Sequence, residues 1–226
     1  QKDVDDKNIG YLHLSTPVQS IQQLSDSSYV SSAYDIDVYK DNILISDRNN
    51  NRIIILDSLY NVINTYGKEG RGPGEFIGVD EILVRNDTIY ALDGTNNRLN
   101  IFDLRKGYIN SYYFPKGTIP TSGAIYSMDN KYIYYSSRYT SKPIVIKEIN
   151  GNLIKEFGIS KQNYYHPKIK EQYHIVMKNN NRLFAISYFG PIIFEYSKKG
   201  KLINKLDLSE YNFLKKKIER AKNENT

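Results

Sequence analysis

The chain has 226 residues, of which 40% are hydrophobic and 25% charged. That is enough apolar material for a substantial core and excludes wholesale disorder. Cysteine is absent, which excludes disulfides, thiolate metal sites and a cysteine nucleophile, and no apolar run approaches the ~18 residues of a membrane-spanning helix.

The net charge of +6 is unevenly placed: residues 1–113 sum to −5 and residues 114–226 to +11. A basic half suits an acidic partner such as a nucleic acid or an anionic glycan. Lysine-rich turns such as Lys198-Lys199-Gly200-Lys201 offer a plainer reading, a solvated surface. The plainer reading is preferred, because few aromatics are interleaved with these lysines.

The chain opens with Gln1 rather than Met, which implies a removed leader or a cut chain. Residues 1–8 are polar and charged and read as a flexible arm. Such an arm suits an exported, periplasmic or cell-surface bacterial protein, with a lipid anchor upstream of Gln1. Residues 18–24 are expected to supply one outer strand of a closing unit.

A repeat emerges when the chain is laid on itself. Asp47-Arg48-Asn49-Asn50-Asn51-Arg52 aligns with Asp93-Gly94-Thr95-Asn96-Asn97-Arg98 at an offset of 46 residues. The next segments stay in step, Ile55-Leu56-Asp57 against Ile101-Phe102-Asp103. Looser copies follow around Tyr132-Ile133-Tyr134-Tyr135 and Leu183-Phe184-Ala185-Ile186. Each copy reads as short β-branched and aromatic runs separated by Asn, Asp, Gly and Lys turns. Asn150-Gly151 and Lys199-Gly200 suit tight hairpins, where glycine supplies positive φ.

No sustained helical periodicity precedes about residue 209. In residues 209–226, Ser209 suits an N-cap and Leu214, Ile218 and Ala221 share a face, which predicts a helical insertion or tail. Four antiparallel strands per ~45 residues, repeated, predict an all-β fold of β-propeller blades. The blades are expected near 34–66, 79–114, 123–158 and 173–207, within a partial propeller over 9–208.

The first copy ends in Gly70-Arg71-Gly72-Pro73-Gly74-Glu75-Phe76. Together with the Asp-x-x-Asn-Asn-Arg turn, this loop resembles the NHL-type six-bladed β-propellers, in the branch found among exported bacterial proteins and lipoproteins. The resemblance covers roughly residues 18–207 and speaks to fold more than to activity. It implies four of six blades, with about two more to follow residue 226.

The propeller layout also predicts where a site lies. The loops at 47–52, 70–76 and 93–98 share one rim, where Arg52 and Arg98 would present guanidinium groups to a carboxylate or phosphate. Arg71 and Glu75 add polar contacts there. A structural reading stands beside this one: Asp47, Asn51, Asp93 and Asn97 cap turns, and a device that repeats is more readily structural than a single ligand site. The glycine-rich loop lacks the Lys-Ser/Thr and the following helix of a nucleotide-binding loop.

The long connection 158–172 carries Tyr164, Tyr165 and His166, which suit a sugar or a peptide. No cofactor is required on this reading. The expected ligand is a protein, peptide or glycan, bound without catalysis. An alternative is a metal-assisted hydrolase or lyase of the lactonase-like kind. It would hold calcium or zinc in the central channel through Asp35, Asp37, Asp80 and Glu81. A third is nucleic-acid binding through a basic face, which the acidic first half disfavours.

Overall fold

The computed structural model describes residues 23–114, 127–129, 131–137, 140–149, 151–159, 172–178, 181–188 and 190–209. These form sixteen strands in four antiparallel sheets of four, each sheet ordered as the chain runs. Blade 1 holds β1 (Ala33–Tyr39), β2 (Asn42–Asp47), β3 (Arg52–Leu56) and β4 (Val62–Tyr66). Blade 2 holds β5 (Val79–Arg85), β6 (Thr88–Asp93), β7 (Arg98–Asp103) and β8 (Gly107–Tyr113). Blade 3 holds β9 (Ser127–Met128), β10 (Tyr132–Ser136), β11 (Ile144–Glu148) and β12 (Leu153–Phe157). Blade 4 holds β13 (Tyr173–Lys178), β14 (Arg182–Ser187), β15 (Ile192–Ser197) and β16 (Leu202–Asp207).

This is the all-β propeller architecture. The one helical segment among the described residues is a 3-10 turn at Arg48–Asn50. The helix expected in the tail lies beyond Ser209 and outside the described residues, as does most of the strand expected at 18–24. Gln23 and Leu24 themselves are not in a strand.

Blade geometry follows from local chemistry. Central strands such as β3 (Arg-Ile-Ile-Ile-Leu) are apolar on both faces, because a blade is covered on both sides. Outer strands such as β16 are exposed along their whole length. A bulge interrupts the pairing of the third and fourth strands in every blade: at Ile55/Leu56, Ile101/Phe102, Ile146/Lys147 and Glu195/Tyr196. Each bulge sits beside the closing hairpin and adds twist there. In blades 1 and 2 an aspartate organises that hairpin. Asp57 accepts from the N–H groups of Leu59 and Asn61, and Asp103 from those of Arg105 and Lys106.

Three cores join the blades in sequence. Leu44, Ile53 and Ile55 of blade 1 meet Val84, Ile89 and Phe102 of blade 2. Leu92 and Leu99 of blade 2 meet Ile133, Tyr135 and Val145 of blade 3. Tyr134, Ile144 and Ile146 of blade 3 meet Tyr173, Ile175 and Phe194 of blade 4. Each fully buried side chain of this size contributes about 1.5–3 kcal/mol. A fourth cluster covers the other face of blade 1, where Leu24 and Val30 pack on Ile54 and Leu56.

Polar staples fix the neighbours in register. Asp35 and Asp37 on β1 accept from the backbone N–H groups of Ile82 and Val84 on β5, at 2.9 and 2.7 Å. Ser136 accepts from the N–H of Tyr173 at 3.0 Å across blades 3 and 4. Nearby, Asp129 pairs with Lys198 of blade 4 at 2.6 Å and accepts the hydroxyl of Tyr134 at 3.0 Å.

Burial works to raise the Asp129 carboxyl. The Lys198 ammonium, the N–H groups of Lys131 and Tyr132 and the Tyr134 hydroxyl outweigh it and hold the group below its ordinary value. A carboxyl lowered in the folded state stabilises above its unfolded pKa and loses that contribution as pH falls through the folded one. Asp129→Asn is therefore expected to cost about 1–2 kcal/mol at pH 7. The gap to the wild type closes as the pH falls below the usual carboxylate range. Urea unfolding followed by circular dichroism at pH 7 and at acid pH measures both; a gap that does not depend on pH contradicts the assignment.

Candidate functional site

The Asp-x-x-Asn-Asn-Arg turn builds the same device twice. In blade 2, Asp93 is fully buried and its Oδ2 accepts from Arg98 Nε at 3.2 Å and from Asn96 Nδ2 at 2.8 Å. In blade 1, Asp47 Oδ2 accepts from Arg52 Nε at 3.1 Å and from Asn50 Nδ2 at 2.8 Å. Asn51 and Asn97 end the two turns at φ of 55° and 57°, a left-handed conformation that Asn tolerates better than most residues.

Each clamp grips the segment that precedes its own blade. Arg98 donates through Nη2 to the carbonyl of Glu75 at 2.7 Å and through Nη1 to that of Arg71 at 2.9 Å. Asn96 and Asn100 donate to the carbonyls of Gly70 and Glu75, both at 3.0 Å. In blade 1, Arg52 Nη2 donates to the carbonyl of Tyr29 at 2.9 Å, while Asp47 Oδ1 accepts from the N–H groups of Ser31 and Ser32. Tyr29 precedes Glu75 by the repeat offset of 46 residues, and Val30 precedes Phe76 by the same number. Residues 28–32 therefore stand to blade 1 as 74–78 stand to blade 2.

The glycine-rich loop is tied to both blades. Its Glu75 carboxylate accepts from the Gly72 N–H at 2.7 Å and faces Lys68 at 3.4 Å. Those two partners hold the Glu75 carboxyl below its ordinary value. The N–H of Gly78 donates to Asn51 of blade 1 at 2.6 Å. Gly67 has φ +94°, and a Cβ there would lie 2.5 Å from the Phe76 ring and 2.9 Å from the Asn51 carbonyl. Only glycine fits.

Hydrogen bonds draw the rim candidates Arg71, Glu75 and Arg98 together, whereas Arg52 bonds Asp47, Ser28 and Tyr29 instead. One expectation about them needs correcting. Arg98 does not present its guanidinium to solvent: it is 1% exposed, and its donors serve Asp93, two main-chain carbonyls and, at 3.4 Å, the Tyr113 hydroxyl. Burial beside a fully buried carboxylate makes it a structural staple. Arg71 is exposed and held by its backbone, and Arg52 keeps its side chain 17% exposed. Tyr164, Tyr165 and His166 lie outside the described residues.

The four carboxylates of the metal reading do not form a ligand set. No three His, Asp or Glu side chains converge on a cation position among the described residues. Asp35 and Asp37 accept the N–H groups of β5 instead, and burial pushes the Asp35 carboxyl upward. Asp80 and Glu81 are buried at a bulge in β5 between Val79 and Ile82. Asp80 accepts from the Gly94 N–H at 3.1 Å and lies 3.4 Å from Arg48. Burial raises its carboxyl, against the pull of those two partners.

Sequence reasoning did not single out Ser28, Tyr29, Asn50, Arg48 or Tyr113. Tyr29 and Tyr113 are 64% and 67% exposed at the rim. Arg48 lies over the Tyr34 ring at 4.8 Å from its centroid. The signal that finds Tyr29 is the repeat itself, extended upstream of Asp47.

Replacing Arg98 by Met strands a buried carboxylate and is expected to cost about 3–5 kcal/mol. Arg52→Met costs less, because the Ser31 and Ser32 N–H groups hold Asp47 at 3.0 and 3.1 Å, against 3.5 and 3.2 Å from Ile77 and Asn96 on Asp93, and because water reaches the arginine. Urea midpoints of the two variants rank them; equal losses contradict the distinction between the clamps.

Comparison with known proteins agrees with the architecture. Among solved structures, a Bacteroides fragilis NCTC 9343 protein described as exported superposes with a TM-score of 0.60 at 17% identity, over 80% of this chain and 52% of its own. Streptogramin B lyase superposes with a TM-score of 0.58 at 18% identity, over 85% of this chain and 58% of its own. A protein of unknown function from Bacteroides caccae gives a TM-score of 0.53 at 10% identity, over 80% and 62%. At these identities the likeness is one of fold, and the chain spans between half and two thirds of each of these proteins. No curated protein matches the chain in sequence. No helix among the described residues is long and apolar enough to cross a membrane. The model of the DUF5128 family, described as a 6-bladed beta-propeller, matches residues 9–225, and the chain belongs to that family.

Proposed function

We propose that the chain is an exported, non-catalytic β-propeller that binds a protein, peptide or glycan on the rim formed by residues 27–32, 47–52, 67–78 and 93–98. One observation carries the reading. Each Asp–Arg clamp pins the loop that precedes its own blade, and Tyr29, Arg71 and, beside Arg98, Tyr113 lie exposed there. Exposed tyrosines beside arginines offer large contact faces with few rotatable bonds to order on binding.

Two further points support it. The inner-strand carboxylates Asp35 and Asp37 are engaged in holding β5, which uses their acceptors within the fold. Export agrees with the description carried by the Bacteroides fragilis structural neighbour.

Peptide and glycan arrays test the proposal. The double variant Arg71→Ala/Tyr113→Ala is compared with Leu59→Ser, whose site lies 77% exposed in the β3–β4 hairpin, at the opposite end of the strands from the clamps. Array signals of the wild type are expected to fall at least ~10-fold in the rim variant, equivalent to about 1.4 kcal/mol, and to persist in the hairpin variant. Signals that survive the rim changes, or that vanish with Leu59, overturn the rim as the binding surface.

A further inference from the structure

The two clamps have the same residues but not the same partners. In blade 2, Arg98 Nη1 is bonded to the carbonyl of Arg71 and lies near the Tyr113 hydroxyl. Two local differences remove both partners from blade 1. The position 46 residues before Arg71 is Ser25, where the chain has turned away: Leu24 donates to the carbonyl of Ser28, and the Ser25 hydroxyl takes the N–H of Val62. The position 46 residues before Tyr113 is Gly67, which has no side chain.

Arg52 consequently uses Nε on Asp47 and Nη2 on Ser28 and Tyr29, while its Nη1 has no hydrogen-bond partner among the described residues. An open cleft of about 380 Å³ stands at this place, lined by Ser27, Ser28, Tyr29, Asn50 and Arg52. Asp47, Ser28 and Tyr29 fix the plane of the guanidinium, so its Nη1 stays aimed into the open cleft. The ring of Tyr29 stands exposed beside it.

The geometry points to this cleft as a docking site for a main-chain carbonyl of a partner protein's glycine-rich loop, received by Arg52 as Arg98 receives Arg71. The ligand class is copied from the molecule's own solution to the same clamp. A loop with closely spaced glycines brings its backbone near the guanidinium without side-chain obstruction. A second copy of this chain is a poor donor, because its 70–76 loop is already held by its own Arg98, Asn96 and Asn100. The inference rests on the rim-binding reading and names its ligand class and site.

A fluorescent, end-blocked peptide with the sequence of residues 69–74 is the probe, and anisotropy is the readout. Saturable binding to the wild type is expected. Arg52→Lys keeps the charge but loses the fork, and is expected to weaken binding at least ~10-fold. Ser27→Trp fills the cleft without touching the Asp47–Arg52 pair and is expected to abolish it. A thioamide at the carbonyl matching Arg71, a weaker acceptor, is expected to lower affinity several-fold.

Thermal melts check that both variants fold. Ser27→Trp decides the matter if Arg52→Lys does not fold. Absence of saturable binding, or binding indifferent to these variants and to the thioamide, overturns the inference. Displacement of the peptide by equimolar acetate also overturns it, in favour of a simple anion site. Any of these outcomes leaves the array result for the whole rim standing, so the two readings fail separately.

Discussion

A buried carboxylate paired with an arginine that also holds backbone carbonyls is the interaction on which the first half of this molecule depends. Asp93 and Arg98 are 0% and 1% exposed, so neither charge is satisfied by water. Such a pair is a poor source of net stability, because desolvating both ions offsets their attraction. Its value here is geometric. The planar guanidinium bonds the carboxylate on one edge and two carbonyls with its remaining donors, so a loop rich in glycine acquires one conformation. The loop in turn seats Phe76 among Leu44, Ile53 and Phe102, which joins blade 1 to blade 2.

The second half is held together differently. Blades 3 and 4 carry no Asp–Arg clamp among the described residues. Their junction relies on Tyr134, Tyr173, Phe194 and Tyr196, on the Ser136 hydroxyl and on the Asp129–Lys198 pair. Ion pairs such as Arg182–Glu195 and Lys131–Glu148 each join one base to one acid and leave the basic excess of this half unchanged; exposed hairpin lysines such as Lys199 and Lys201 carry part of it. Tyrosine takes the place of tryptophan as the large interior aromatic, with hydroxyls bonded at the edges of the core, as Tyr173 is to the carbonyl of Ile159.

The same economy governs the inner strands. Acidic residues at Asp35 and Asp37 suggest a channel that binds cations when read as side chains alone. In the folded molecule each reaches across to a backbone N–H of the next blade, which an inner strand has no other means of satisfying. Carboxylates that bridge blades in this way hold blade 1 to blade 2.

Much of this was legible in the sequence. The alternation in Tyr34-Asp35-Ile36-Asp37-Val38-Tyr39 marks a strand half open to solvent, and the repeat at 46 residues marks two blades of one design. The aspartates and asparagines of the turn were recognisable as capping residues from their chemistry. What the sequence alone determined is therefore the blade, its strands and the residue types of the clamp, because these follow from local pattern and periodicity. It did not determine that Arg98 is buried while Arg52 keeps its side chain 17% exposed. Both arginines close the same Asp-x-x-Asn-Asn-Arg turn. Their difference lies in a carbonyl at Arg71 and a hydroxyl at Tyr113, set beside one clamp and not the other by loops 15 to 27 residues distant. Only the folded path of the loop before each blade, and the pairing of its third and fourth strands, brings those groups to the guanidinium.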